Sequence, residues 1–399
     1  MRAVELFAGA GGLGIGVSRA GFNPAAVIEW DPYCCDTIRE NQARKLEPVV
    51  HWPLVEDDVR DFDFRDIRGE VHLVSGGPPC QPFSLGGKHR GPRDERDMFP
   101  QAIRAVRELR PKAFVFENVK GLTRATFASY LEYIRLRLTY PEIVERRSED
   151  WAAHLARLER YHTHGKHDGL YYRVVMRLLN AANFGVPQRR ERVFLVGFRA
   201  DLGIEWCFPE KSHDQDALLW SQWRSGEYWD RHKVARRRRP EGGKGKARAL
   251  SLKETPQLKP WRTVRDALSD LPDPQTEPRA AAAYQNHRFQ PGARSYPGHT
   301  GSPLDEVAKT LKAGDHGVPG GENMLLRPDG SMRYFTVRES ARLQTFPDEF
   351  LFHGSWTETM RQLGNAVPVD LAHIVAASIR DHLARRGVSD TARPNATTI

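Results

Sequence analysis

The stretch LFAGAGGLGIG, Leu6 to Gly16, follows directly on a short apolar run, Ala3–Phe7, that reads as a strand. Gly9, Gly11 and Gly14 fit the pattern G-x-G-x-x-G, in which glycines permit a tight turn and close approach of a ligand to the backbone. Glu29 ends the next strand candidate, about twenty residues on, where a carboxylate can accept hydrogen bonds from a ribose. The same arrangement suits a nicotinamide dinucleotide and any adenosyl cofactor, so the glycines alone leave both open. Asp58, in EDDVRDF, stands where a third strand would end. It reads either as an acceptor for an adenine amino group or as an ordinary solvated turn acid.

Working outward, Ala25–Glu29, Val71–Ser75, Ala113–Glu117 and Val193–Phe198 are further short apolar runs, as expected of strands buried on both faces. Helix candidates separate them, among them Met98–Leu109 before Pro111. Alternation of this kind predicts an α/β fold: an open, mainly parallel sheet with helices on both sides, taking its ligands at the carboxyl ends of the strands. GGPPC and ENVKG both begin where a strand would end. Residues 122–170 read as a helical insertion whose charge pairs at helical spacing suggest a solvated outer layer. From Cys207 to Asn323 the alternation stops and Pro, Gly, Arg and Trp become frequent. KVARRRRPEGGKGKARAL is a basic run there, and RFQPGARSYPGHTGSP is a loop by composition. Order returns with TVRESARLQTFPDEF, which starts like a capped helix, and with the amphipathic DLAHIVAASIRDHLARR. The expected division is a first domain over 1–206, a smaller irregular domain over 207–330, a return to the first domain over 331–385, and a tail over 386–399.

Composition fits a soluble globular protein of 399 residues, 40% hydrophobic and 28% charged. No apolar run approaches the ~20 residues of a membrane span, and MRAVELFAGAGG lacks a signal-peptide layout. Cys34, Cys35, Cys80 and Cys207 form no disulfide or metal framework. These features predict a reduced, cytoplasmic protein. The net charge of +9, with an isoelectric point near 9.4, favours a polyanionic partner, nucleic acid first. His162, His164 and His167 are irregularly spaced and no cysteine joins them, so no metal site is expected.

VSGGPPCQPFS, Val74 to Ser84, holds Cys80 on a stiff loop: Pro78, Pro79 and Pro82 fix their own φ, and Gly76 and Gly77 relax the backbone before them. Such a cysteine is either a small buried hydrophobe or a nucleophile set at a fixed height.

ELFAGAGGLGIG, IEWDPYC, GGPPCQPFS, ENVKGL, GVPQRRERVFLVGF, TVRESARLQTFPDEF and RQLGNAVPV occur in this order. Together they resemble the C5-cytosine DNA methyltransferases, bacterial and of restriction-modification type, from Glu5 to about Arg385. The resemblance implies a Rossmann-like domain binding S-adenosyl-L-methionine and a target-recognition domain over 207–330. It implies that Phe7, Gly9, Gly11 and Gly14 line the cofactor pocket and that Glu29 takes the ribose hydroxyls. Trp30 would lie against the adenine, Asp58 (or its rival Asp57) would hold the adenine amino group, and Asn365 would close the pocket. Cys80 would add to C6 of a flipped-out cytosine, which activates C5 toward an electrophilic methyl. Glu117, with a raised pKa, would stabilise N3, and Arg192 would bind O2. Arg190 and Arg192 are the candidate activators of the thiol. Gln81, Ser84, Lys88, Arg90 and Arg96 would face the DNA. No residue is implied as the base that removes the C5 proton; water is one option. The partners implied are double-stranded DNA and a cognate restriction endonuclease, with the enzyme itself a monomer. Rival readings are a tRNA cytosine-5 methyltransferase, a nicotinamide-dependent oxidoreductase and a catalytically silent DNA-binding regulator.

Overall fold

The computed structural model describes residues 1–79, 97–165, 167–294, 300–313 and 323–391. Cys80, Gln81, Ser84, Lys88, Arg90 and Arg96 lie outside the described residues. The centre is a seven-stranded sheet in the order β3-β2-β1-β4-β5-β7-β6. Its strands are β1 (Arg2–Leu6), β2 (Asn23–Glu29), β3 (Leu54–Glu56), β4 (Leu73–Gly76), β5 (Ala113–Val119), β6 (Tyr172–Asn180) and β7 (Glu191–Arg199). Only β7 is reversed, pairing antiparallel with β5 and β6; the remaining pairs are parallel. This is the α/β class that the alternation predicts.

One strand escaped the pattern. β6 reads YRVVMRLLN, and Val175, Met176, Arg177 and Leu178 are all exposed. It is the edge strand, covered on neither face at that point, so it lacks the continuous apolar run that marks its buried neighbours.

Helices α1 (Gly12–Arg19), α2 (Pro32–Ala43), α3 (Phe99–Leu109), α4 (Ala128–Thr139) and α5 (Trp151–Thr163) occur within this half of the chain. The expectation of a solvated layer over 122–170 fails for α4. Its Tyr130, Leu131, Tyr133, Ile134, Leu136 and Leu138 are buried in the same core as Val4, Val74, Phe114 and Phe116. Its Glu132, Arg135 and Arg137 show a helical spacing of charge, but its apolar residues outnumber them and decide where it sits.

The other face of the sheet packs Ala3, Leu73, Val115 and Val196 against Leu13 and Val17 of α1 and against Leu371, Val375 and Ile379. The last three belong to the C-terminal helix, Val369–Thr391. The chain's end therefore completes the first sheet's core, and the helix runs past position 385, where a tail was expected.

Between these parts lie α6 (Gln215–Trp223), α7 (Glu227–Arg231), α8 (Gly243–Ser251), α9 (Val264–Leu268) and α10 (Pro278–Ala281). They are followed by α11 (Val337–Leu343), α12 (Trp356–Asn365) and α13, the C-terminal helix. Thr336 and Glu339 form the capping box that starts α11. A two-stranded pair, β8 (His213–Asp214) with β9 (Lys259–Pro260), and a three-stranded sheet of β10 (Ser302–Pro303), β11 (Met324–Leu326) and β12 (Met332–Tyr334) complete the fold. The β11–β12 hairpin spans the expected boundary at 330. Val264, Leu268, Ala308, Leu311, Leu325, Phe335 and Leu343 share one apolar cluster. The second half of the 207–330 segment is thus packed onto α11.

One buried group tests the sheet. Glu5 is 2% exposed, lies opposite Ser75 in the β1–β4 register, and accepts a hydrogen bond from the Ser75 hydroxyl. Its Oε1 has no partner among the described residues, and burial pushes its carboxyl up to about 8. The folded protein therefore holds this proton more tightly than the unfolded chain. Stability present below the ordinary value of 4.5 is lost as pH rises through about 8. In wild type the loss amounts to about 3–5 kcal/mol. Glu5→Gln keeps the neutral shape and removes that loss, so urea unfolding midpoints between pH 5 and 9 should fall for wild type and stay nearly level for the variant. Parallel curves would disprove it.

Candidate active site

The glycine turn places an open surface beside a buried carboxylate. Phe7 has φ = 54° and Gly9 φ = 56°; a positive φ is rare for a bulky residue and marks a constrained site. A Cβ on Gly9 would meet nothing within 4 Å. The Gly9 N–H donates to Glu29 Oε2 at 2.6 Å, and the Trp30 and Asp31 N–H groups donate to Oε1 at 2.9 and 2.8 Å. Three of the roughly four acceptor positions of a carboxylate are thereby used, which leaves one for a ribose hydroxyl. Burial raises the Glu29 pKa, and the three N–H donors oppose that shift. Trp30, next in sequence, is 67% exposed at a strand's carboxyl end, and among the described residues no ring stacks on its indole. These residues fit an adenosyl group.

Gly11 and Gly14 serve a different purpose. A Cβ on either would stand 2.8–2.9 Å from the Trp52 ring, and Gly11 has φ = 88°. Their smallness lets α1 pack on Trp52, whose Nε1 donates to Ser18 Oγ at 3.1 Å. Trp52 carries no motif signature, and only packing reveals it.

Asp58 lies just beyond β3, but its carboxylate is held by Arg60, whose Nη2 donates to Oδ2 at 2.6 Å. That bond is the main reason its pKa is lowered. Asp57 donates its N–H to the Glu29 carbonyl at 3.1 Å and so stands alongside the Glu29–Trp30 corner.

Asn365 is exposed at the end of α12. A Cβ on Gly12 would press on the Val367 carbonyl and lie 3.3 Å from Ala366 Cβ. The GNAVP segment is therefore packed on the glycine turn, more than three hundred residues earlier in the chain.

The second cluster forms where β4 and β5 end and β7 begins. Glu117 is 6% exposed, and burial raises its pKa against the opposing charges of Arg192 and Arg190. Arg192 Nε stands 2.9 Å from Glu117 Oε1, and the two form an ion pair. A Cβ on Gly77 would lie 3.4 Å from Glu117 Oε2. Asn118 Nδ2 donates to the Pro78 carbonyl at 2.9 Å, and the Met98 N–H donates to the Pro79 carbonyl at 3.1 Å. The backbone is thus pinned beside Glu117 up to the residue before Cys80. Asn118 had no assigned role in the sequence, although an amide beside a strand-end acid was a usable signal.

Arg190 is fully buried. Its Nη1 and Nη2 donate to the carbonyls of Leu311 and Gly364 at 2.9 and 2.6 Å. Burial pushes its pKa well down. These bonds tie the 311 and 364 segments to the start of β7. Gln188, also buried, adds a bond to the Leu343 carbonyl at 3.2 Å and accepts the Leu311 N–H at 3.0 Å.

The chain matches the family described as C-5 cytosine-specific DNA methylase over residues 1–139 and 158–381. It belongs to that family. This DNA methylase transfers a methyl group to C5 of cytosine, with S-adenosyl-L-methionine as donor. The nicotinamide reading is thereby set aside. The match covers α4 and is interrupted over 140–157. The type II methyltransferases M.PspPI of Psychrobacter sp. (strain TA137) and M.Eco47II of Escherichia coli are each 33% identical over 384 residues, covering 94% of this chain and 78% of theirs. M.AquIA of Picosynechococcus sp. is 36% identical over 287 residues, covering 70% of this chain and 92% of its own. Among solved structures, the S. pombe Dnmt2 methyltransferase superposes with a TM-score of 0.55 at 18% identity, covering 97% of this chain and 99% of that one. The Entamoeba histolytica methyltransferase EhMeth gives 0.55 at 12%, covering 96% and 98%. At such identities the likeness speaks to the fold alone.

Among the described residues no cluster of three or more His, Cys, Asp or Glu is arranged to hold a metal, and no helix is long and apolar enough to cross a membrane.

Proposed function

We propose that Cys80 is the nucleophile and that the residues around Glu117 prepare the cytosine for it. The thiolate adds to C6, and the ring's electrons move toward N3 and C5. Glu117, in its acid form, donates to N3 as that charge develops, and the Arg192 guanidinium holds O2 and keeps the ring oriented. The bound cofactor supplies an electrophilic methyl, toward which C5 is now nucleophilic. The C5 proton then leaves to a base, with water as the candidate, and the thiol is eliminated. The base must first leave the duplex, at a cost of a few kcal/mol of lost stacking. The observation that carries this reading is the Glu117 carboxylate next to Gly77, with the Pro78 carbonyl held by Asn118.

Phe7, Gly9, Glu29, Trp30 and Asn365 would form the cofactor cradle, with Gly11 and Gly14 supporting its floor. Asp58, or Asp57 beside it, would take the adenine amino group. Gln81, Ser84, Lys88, Arg90 and Arg96 would contact the DNA. Residues 207–330 would recognise the target, and 1–206 with 331–385 would carry the chemistry. We further propose a monomeric cytoplasmic enzyme that protects DNA against a cognate restriction endonuclease. The type II names of its relatives support this reading.

The test is incorporation of labelled methyl groups into duplex DNA and into tRNA, with the modified base mapped in DNA from expressing cells. Label at C5 of cytosine in one short duplex site is expected. Label confined to tRNA, or at an exocyclic nitrogen, would overturn the proposal.

A further inference from the structure

The chain's positive charge is concentrated in one short stretch. Residues 231–248 hold nine lysines and arginines against one glutamate, a net +8, while the whole chain is +9. The other 381 residues are close to neutral at +1. Whether such a run is a solvated linker or a contact surface depends on its rigidity and on whether its cations are already paired.

Both conditions point to a contact surface. The run turns back on itself over a buried aromatic cluster: Trp229 is 1% exposed, with Trp223 5.4 Å away and Tyr228 4.9 Å away, centroid to centroid. Arg239 closes the turn. Its Nε donates to the Val234 carbonyl at 3.0 Å and its guanidinium lies 5.8 Å from the Trp229 ring centre. Within the turn the Arg238 N–H donates to Ala235 O at 2.8 Å and the Arg239 N–H to Arg236 O at 3.1 Å. Arg236–Arg238 is thus a single 3-10 turn, which sends three successive side chains in three directions. All three are exposed, and among the described residues none meets a carboxylate. Lys233 and Lys244 are likewise exposed without an acidic partner there. Nearby arginines are treated differently: Arg231 pairs with Asp266, Arg248 with Asp216 and Arg265 with Asp305.

This subdomain also sits on the segment leading into β7. Trp261 Nε1 donates to Asn183 Oδ1 at 3.1 Å, the Ser212 N–H donates to Asn183 O at 3.0 Å, and the Arg189 guanidinium lies 5.3 Å from the Trp261 ring centre. The rigid basic turn is therefore built onto the strand that carries Arg192, with Arg190 just before it.

We infer that Arg236, Arg237 and Arg238 form a phosphate-gripping knuckle that holds the duplex backbone irrespective of sequence, leaving base reading to other residues of 207–330. This rests on the duplex-DNA reading above. Guanidinia on a pinned turn bind phosphate with little further loss of freedom, and each phosphate they neutralise releases counterions. The test is duplex affinity against salt for wild type and for the combined Arg236→Ala, Arg237→Ala, Arg238→Ala variant, on site-bearing and site-free duplexes. The slope of log affinity against log salt should shrink by about 1 for every phosphate that the variant no longer grips. Affinity should fall by the same factor on both duplexes, S-adenosyl-L-methionine binding should be kept, and the triple lysine variant should restore most of the slope. An unchanged slope in a folded variant would overturn the inference, as would a weakening confined to the site-bearing duplex or to RNA. Wild type that neither binds nor methylates duplex DNA would instead refute the parent reading.

Discussion

Cys80→Ser should abolish methyl transfer to duplex DNA, with kcat down by about 10⁴-fold or more, as for loss of other covalent nucleophiles. The reason is ionisation: a free thiol with a pKa near ~8.5 supplies a useful fraction of thiolate at neutral pH, and a serine hydroxyl supplies almost none. Binding of S-adenosyl-L-methionine should survive, because the hydrogen bonds of the proposed cradle run from the Gly9, Trp30 and Asp31 N–H groups to Glu29. Duplex DNA containing 5-fluorocytosine should trap wild type as an adduct and leave the serine variant free, since fluorine blocks the final proton loss. Two of the other cysteines are poor competitors. Cys34 and Cys35 are buried in α2, where burial raises the thiol pKa of both, that of Cys35 to about 12. Cys207 is exposed beyond β7. A serine variant within tenfold of wild type, or an adduct mapped to one of these three, would remove the mechanism's foundation.

Glu117→Gln should cost about 10²–10⁴-fold in the rate of covalent addition, the usual worth of a positioned proton donor. Its pH profile is the sharper readout. The acid form is the active one, and burial raises the Glu117 pKa. Activity should therefore hold at low pH as far as Glu117 is concerned and fall as pH climbs through its raised value. The thiol imposes the opposite limb, because more thiolate forms as pH rises. Wild-type kcat/KM should trace a bell, and the glutamine variant should lose the descending side while keeping the ascending one. Duplex affinity should change little, because in the proposed mechanism the residue would face the extruded base rather than the backbone. A glutamine variant that retains both the wild-type rate and the descending limb would show that Glu117 does no proton chemistry.

The sheet was largely readable from residue patterns. β1, β2, β4, β5 and β7 are buried apolar runs, and burial on both faces leaves that mark whatever surrounds them. β6 was missed because, at the edge, it mixes arginines with apolar residues that stay exposed. α4 was misplaced because its charge pairs suggested solvent, while six apolar residues put it into the core. The candidate site divides along the same line. Glu29 and Glu117 could be singled out as candidates because a strand-end acid is a local signal. Asn118 offered a signal that was not used, whereas the work of Trp52 and Gln188 was invisible because the groups they meet lie far off in sequence.

By itself the sequence determined the alternating fold, the glycine turn with its acid, and the order of motifs that marks a C5-cytosine methylase. All of these are local patterns, set by periodicity and by residue types within a few positions of one another. Only the tertiary structure decided that Gly11 and Gly14 make room for Trp52, that Arg190 bolts the carbonyls of Leu311 and Gly364 to β7, and that the basic run is a pinned turn. The first two depend on groups separated by many residues meeting in space, and the third on a turn folding over the Trp223–Trp229 cluster; which donor meets which acceptor is fixed by packing, a property that residue types alone do not contain.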